Sequence, residues 1–253
     1  VSEINGLRQG AVEQLLLRRD WMRAGAEAER TSLIAATVAA DDSTRRATES
    51  LAPPARATLA ADVCRLEDAY AAADAGATEI AYDPFLRHPM PPVARVRALA
   101  VSLATRGIDF RLRTPTIVRP AERKHLDKWL ALGTPILSGH LGLVAELAAA
   151  GRDVVADYAV NCFNQHTADE IFALGASRIT LSIELTTDEI AAVVAPRGGR
   201  GFDALIYGRP EGMTIEHCVL SAAFDREPTT CRDLCVRDHP LVQITDPAGY
   251  TFA

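Results

Sequence analysis

At 253 residues and 27.2 kDa the chain is long enough for one large domain or two small ones, and a chain of this size buries about three quarters of its unfolded surface. Hydrophobic residues at 48% and charged residues at 24% exclude a disordered or fibrous chain, and no apolar run approaches the ~20 residues of a membrane span. The net charge of −6 gives no general attraction to nucleic acid, a local basic patch aside.

In chain order, residues 2–40 read as helix. Ile4, Leu7, Val12, Leu15, Leu16 and Trp21 recur at helical spacing, with Arg8, Arg18, Arg19 and Arg23 available to a wet face. The polar stretch from Asp41 to Pro54, which ends in Pro53-Pro54, has the composition of a flexible connection. This predicts a helical arm with its linker over 1–55 and a main body over 56–253. The start at Val1 and the stop at Ala253, straight after a strand-like stretch, suggest a fragment of a longer protein. Residues 1–30 hold no basic segment leading into an apolar one, so no secretion signal is read. Five cysteines, an odd number at low density, point away from disulfides and toward a reducing compartment, the cytoplasm.

From Arg56 onward one phrase repeats: an alanine- and leucine-rich helix ends in glycine and a short β-prone run follows. The instances are Gly76 into Glu79–Tyr82, Gly107 into Ile108–Phe110, Gly133 into Pro135–Leu137, Gly151 into Val154–Ala156 and Gly175 into Arg178–Leu181. Glycine after the last helical turn takes the left-handed conformation that ends the helix and turns the chain back. With further strands over 57–63 and 202–207, about seven strands alternate with helices. Such alternation implies parallel strands with right-handed crossovers. Even spacing and the lack of a GxGxxG turn favour an incomplete, TIM-like (β/α) barrel over a doubly wound sheet. The pattern breaks after Tyr207, where a cysteine loop over 216–240 and a β tail from Leu241 to Phe252 replace the expected helix.

In a barrel the active site forms at the C-terminal ends of the strands. Those ends supply Cys64, Tyr82, Asp83, Arg113, His140, Asp157, Asn161, Asn164, Glu184, Tyr207, Arg209, Glu216 and His217. Each taken singly is more ordinarily a cap or turn residue, as Asp83 before Pro84 illustrates. Arg111 and Arg113 alternate along one strand and face one side, suited either to an anion or to solvent. The sharpest feature is Cys218, Cys231 and Cys235 in a short polar loop. Gathered thiolates point to a soft metal or an iron–sulfur cluster. A fourth ligand would be Cys64, Cys162 or a residue beyond Ala253; His239 would instead complete a Cys3His zinc set. Neither a GxSxG elbow nor an HExxH helix occurs, and a Cys218–His217 catalytic pair is disfavoured because sequence neighbours seldom point at each other.

Four phrases, Asp157-Tyr-Ala-Val-Asn-Cys-Phe-Asn164, Ile179-Thr-Leu-Ser-Ile-Glu-Leu185, Tyr207-Gly-Arg209 and Glu216-His-Cys218, follow in an order that resembles the U32 peptidase family, the collagenase-like proteases, from about Arg56 to the end. The resemblance implies more than proteolysis. Several bacterial members are iron–sulfur proteins that support oxygen-independent hydroxylation of transfer RNA, ribosomal RNA or a ubiquinone precursor, with prephenate implicated as an oxygen source in the RNA-modifying ones. It implies a 4Fe–4S cluster on Cys218, Cys231 and Cys235, its fourth ligand off this chain, then in order Cys64 or Cys162. On this reading Glu184 and His217 handle protons and Arg209 or Arg113 holds an anionic substrate, with Tyr207, Asn161 and Asn164 completing the rim. The substrate is RNA or a small aromatic precursor, and a related family subunit is a candidate partner. The alternatives are a collagenase-like peptidase and a non-catalytic half of a larger member. Cys162 departs from the aliphatic residue that many members carry there.

Overall fold

The computed structural model describes residues 2–45, 58–86, 90–208, 210–211, 218–226, 234–235 and 242–252. The chain divides into two compact units, 1–51 and 52–253. The first holds one helix, α1 (Ser2–Arg45). Its apolar side chains are exposed, Leu7 at 77% and Trp21 at 75% among them. The helix continues through Asp41 and Asp42, where a linker was expected. Charged residues are compatible with helix, and the first helix-breaking prolines come only at 53 and 54. The rest of that linker lies outside the described residues.

The second unit alternates strand and helix as the sequence predicts: β1 (Ala60–Val63), α2 (Leu66–Asp74), β2 (Glu79–Tyr82), α3 (Val93–Thr105), β3 (Asp109–Arg113), α4 (Arg123–Leu130), β4 (Ile136–Ser138), α5 (Leu141–Ala149), β5 (Val154–Ala156), α6 (Gln165–Ala173), β6 (Arg178–Thr180), α7 (Thr187–Val194) and β7 (Phe202–Asp203). All seven strands are parallel and pair in sequence order. Among the described residues nothing pairs with the outer edges of β1 and β7, so the sheet is a curled, incomplete TIM-like barrel. A short helix α8 (Val219–Ala223) and an antiparallel pair, β8 (Ile244–Thr245) with β9 (Thr251–Phe252), follow it.

The five helix-ending glycines all carry positive φ, from 70° at Gly107 to 101° at Gly76. Gly175 is held twice over, by its φ of 99° and by space: a Cβ there would stand 2.7 Å from the Ala148 methyl. Between sheet and helices lies the main core, which includes Ile80, Tyr82, Leu99, Leu112, Trp129, Ile136, Val144, Val154 and Ile179. Its strand members Ile80, Tyr82, Leu112, Ile136, Val154 and Ile179 are the outward-facing half of a period-2 pattern, and Leu99, Trp129 and Val144 meet them from the helices.

The inward-facing half has a different chemistry. Its middle tier is small and apolar, made of Ala81, Leu137 and Val155. Toward the N-terminal ends of the strands, Arg111 pairs with Glu79 at 3.0 Å and with Asp153 at 2.7 Å. Arg178 joins Glu79 at 2.5 Å and Asp203 at 3.1 Å. Glu79 stands on β2 and Arg178 on β6, four places apart in the sheet, and they meet only because the sheet curls. Interiors of (β/α) barrels are ordinarily filled by bulky branched side chains; here an ion-pair network fills the floor.

Candidate active site

The second charged tier lies above the apolar one, at the C-terminal ends of β1, β2, β3 and β5. Strand alternation puts Asp62, Asp83, Arg113 and Asp157 on the same inner face. Arg113 is the centre. Its Nε and Nη2 donate to Asp157 Oδ2 at 2.9 and 2.8 Å. Its Nη2 also reaches the Tyr158 hydroxyl at 3.4 Å, and the guanidinium stacks 5.6 Å from the centroid of that ring. Asp83 Oδ2 stands 4.0 Å from Nη1. Burial opposes the arginine's charge, but Asp157, Tyr158 and Asp62 outweigh it and hold its pKa above the usual value.

Each carboxylate is placed by its own local structure. Asp83 Oδ1 accepts the amides of Phe85 and Leu86 at 2.7 and 3.0 Å, the turn expected before Pro84. Asp157 is 1% exposed and its Oδ1 caps the next turn by accepting the Tyr158 amide at 2.8 Å. Asp62 keeps contact with water yet is crowded by the rest of the mouth. Burial first, then the charges of Asp157, Glu79 and Asp83, raise its pKa from 3.8 to about 6 against the opposing pull of Arg113. Burial likewise raises Asp83, against Arg113, with Glu211 adding to the rise. Three carboxylates thus share one arginine, and one of them exchanges protons near neutral pH while open to solvent. That combination suits general acid–base work at a barrel mouth.

The sequence-predicted residues separate into distinct groups. Asp83, Arg113 and Asp157 converge as a rim should. Arg111 and Arg113 do face one side, but they are 7% and 8% exposed and are neutralised by protein carboxylates; neither is a solvated surface charge. Tyr82 does not reach the mouth. Its register places it on the outer face, 1% exposed in the main core, and burial pushes its hydroxyl up to about 12. His140 and Asn164 are helix caps: His140 Nδ1 accepts the Leu143 amide at 3.1 Å and Asn164 Oδ1 the Thr167 amide at 2.9 Å. Asn161 holds a left-handed φ of 56° just after the turn at 158–160. Glu184 is exposed, and Tyr207, 95% exposed, lines a separate apolar cleft of about 290 Å³ between the end of β6, α7 and the segment after β7. Arg209, Glu216, His217, Cys231 and His239 lie outside the described residues.

The four described cysteines are free thiols, and they differ sharply. Cys162 is fully buried in the core, donates to the Asn164 carbonyl at 3.8 Å, and is pushed up by burial. Cys64 is half-buried. Cys218 and Cys235 are exposed. Cys218 caps α8: the Ser221 hydroxyl and then the Ser221 amide, which donates to its sulfur at 3.4 Å, hold the thiol below its usual pKa. An exposed, acidified thiol has the donor chemistry of an iron–sulfur or zinc ligand. Among the described residues no group of three such donors is assembled.

Asp62, Tyr158 and Glu211 escaped the sequence reading. Asp62 had a signal, a lone charge inside the apolar run Leu59-Ala-Ala-Asp-Val63. Tyr158 and Glu211 had none beyond their neighbours.

Fold and site together define an open (β/α) barrel with a carboxylate-rich mouth. Among solved structures the chain is similar to the U32 peptidase Mk0906, at 15% identity and a TM-score of 0.47 over 62% of this chain and 71% of that one. It is also similar to a putative mandelate racemase/muconate lactonizing enzyme from Sorangium cellulosum, at 19% identity and a TM-score of 0.39 over 58% of this chain and 45% of that one. No protein-family model matches the chain, and no curated protein does. Among the described residues no helix is long and apolar enough to cross a membrane.

Proposed function

We propose that the protein is a barrel enzyme of the U32 type that carries a 4Fe–4S cluster on Cys218, Cys231 and Cys235 and supports oxygen-independent hydroxylation of RNA or of a small aromatic precursor. The observation that carries this reading is the exposure of the loop thiols Cys218 and Cys235, with Cys218 held below its usual pKa by Ser221, whereas Cys162, after β5, is buried. When bound, such a cluster supplies one-electron chemistry. The chain's own residues supply the rest: Asp62 takes or gives a proton at its solvent-facing carboxyl, while Arg113, fixed by Asp157, sets the local field.

A second reading, peptide hydrolysis, is favoured by the same mouth, because a carboxylate titrating near neutrality beside a fixed arginine suits the activation of water. Iron and acid-labile sulfide, measured with zinc on anaerobically purified protein, separate the two. The expected result is stoichiometric iron and sulfide with visible colour, lost in Cys218→Ser and kept in Cys162→Ser. A colourless protein that cleaves denatured collagen would overturn the hydroxylase reading.

A further inference from the structure

Among the described residues, the loop after β7 is tied into the charged mouth at Glu211. The Glu211 amide donates to the Tyr158 hydroxyl at 3.1 Å, and that same oxygen lies 3.4 Å from Arg113 Nη2. The Tyr158 ring is in turn fixed from two sides: its backbone amide is held by Asp157, and the Arg113 guanidinium stacks on its face. Tyr158 and Glu211 are 53 positions apart, so this bond joins the β5 end of the barrel to the loop of β7, around the rim. Pro210 immediately before Glu211 stiffens the approach.

We propose that Tyr158 is a positioning residue that docks the loop after β7 onto the mouth and thereby makes the Glu211 carboxylate a working member of the mouth's charge set. One hydroxyl serves two partners: it accepts the loop's amide and it accepts from the arginine that organises the carboxylates. The mouth then holds Asp62, Asp83 and Asp157 around Arg113, with the Glu211 charge felt at Asp83, and the loop's position feeds into the protonation of Asp83. This goes beyond the reading of the reaction, since both consequences below are physical and need no turnover.

The test uses Tyr158→Phe and Glu211→Gln in the full chain, followed by amide exchange at position 211 and by the NMR titration of Asp83. The groups facing Asp83 are Arg113 on β3, Asp62 on β1, Glu211 on the loop, and the Phe85 and Leu86 amides of its own turn. Removing the hydroxyl takes one hydrogen bond from the loop, so the position-211 amide is expected to exchange about 3- to 10-fold faster. Glu211 raises Asp83, so release of the loop is expected to move the Asp83 pKa down. Glu211→Gln is expected to lower Asp83 as well while leaving the amide at 211 protected, because the N–H and the tyrosine both remain. Unchanged exchange in Tyr158→Phe, at an unchanged melting temperature, overturns the tether. An Asp83 titration that ignores Glu211→Gln overturns the electrostatic role, and that variant decides it even where Tyr158→Phe fails to fold.

Discussion

Asp157→Ala is expected to be the most destabilising single change at the mouth, by about 3–5 kcal/mol, because it leaves a buried guanidinium without its partner. Asp157 holds two nitrogens of Arg113, and both residues are within a tenth of full burial. What remains for Arg113 is Asp83 at 4.0 Å and the Tyr158 hydroxyl at 3.4 Å. The variant also loses the carboxylate that caps the turn at Tyr158. For a unit of this size the melting temperature is expected to fall by about 10 °C. Adding Arg113→Met in the same chain should recover much of the loss, since the cost is an unpaired charge rather than a missing contact. A fall of less than ~1 kcal/mol in a denaturant melt, with Arg113 intact, would mean that the pair does not hold the mouth together.

Asp62→Asn is expected to trade activity for stability. In the unfolded chain the carboxyl titrates at its ordinary 3.8, and in the fold at about 6, so the native state binds the proton more tightly. Below pH 3.8 both states are protonated and nothing is lost. Stability attributable to this group falls as the pH rises from 3.8 to 6, and above that the whole cost is present. Because Asp62 is open to water, screening reduces that cost to about 1 kcal/mol. Asparagine abolishes it, so the variant should be more stable than the parent at pH 8 and closer to it at pH 4. If Asp62 is the proton carrier, turnover should drop by about 10²- to 10⁴-fold, and the inflection near pH 6 should vanish from the rate profile. An Asp62→Asn protein with parental rates at all pH values would move the proton chemistry elsewhere.

The barrel was legible because its punctuation is local. A glycine after an alanine-rich helix needs only its own left-handed backbone, and each of the five takes it. The inward set Asp83, Arg113 and Asp157 was legible from strand ends. Tyr82 was misplaced because being last in a strand does not choose a face, whereas alternation with the inward Ala81 and Asp83 does. His140 and Asn164 show the limit for polar residues at strand ends: the groups that bind substrates are the same groups that cap helices, and here the amides of Leu143 and Thr167 claim them. The cysteines could not be ranked from spacing, because burial of Cys162 and exposure of Cys218 are settled by tertiary packing. Asp62 was readable in principle, as one acid in an apolar strand, but its meaning comes from neighbours on β2, β3 and β5.

The floor network also bears on how fast the barrel forms and opens. Glu79 and Arg178 lie 99 positions apart, and their pair requires β2 through β6 to be assembled and curled first. Contacts of such long sequence separation form late, because chain closure must precede them. The pair is therefore expected to be absent from the transition state for folding. Weakening it with Glu79→Gln should leave the folding rate nearly unchanged and appear almost wholly as faster unfolding in a chevron plot. A barrel left open among the described residues would then owe its lifetime, more than its speed of assembly, to a bridge between two side chains.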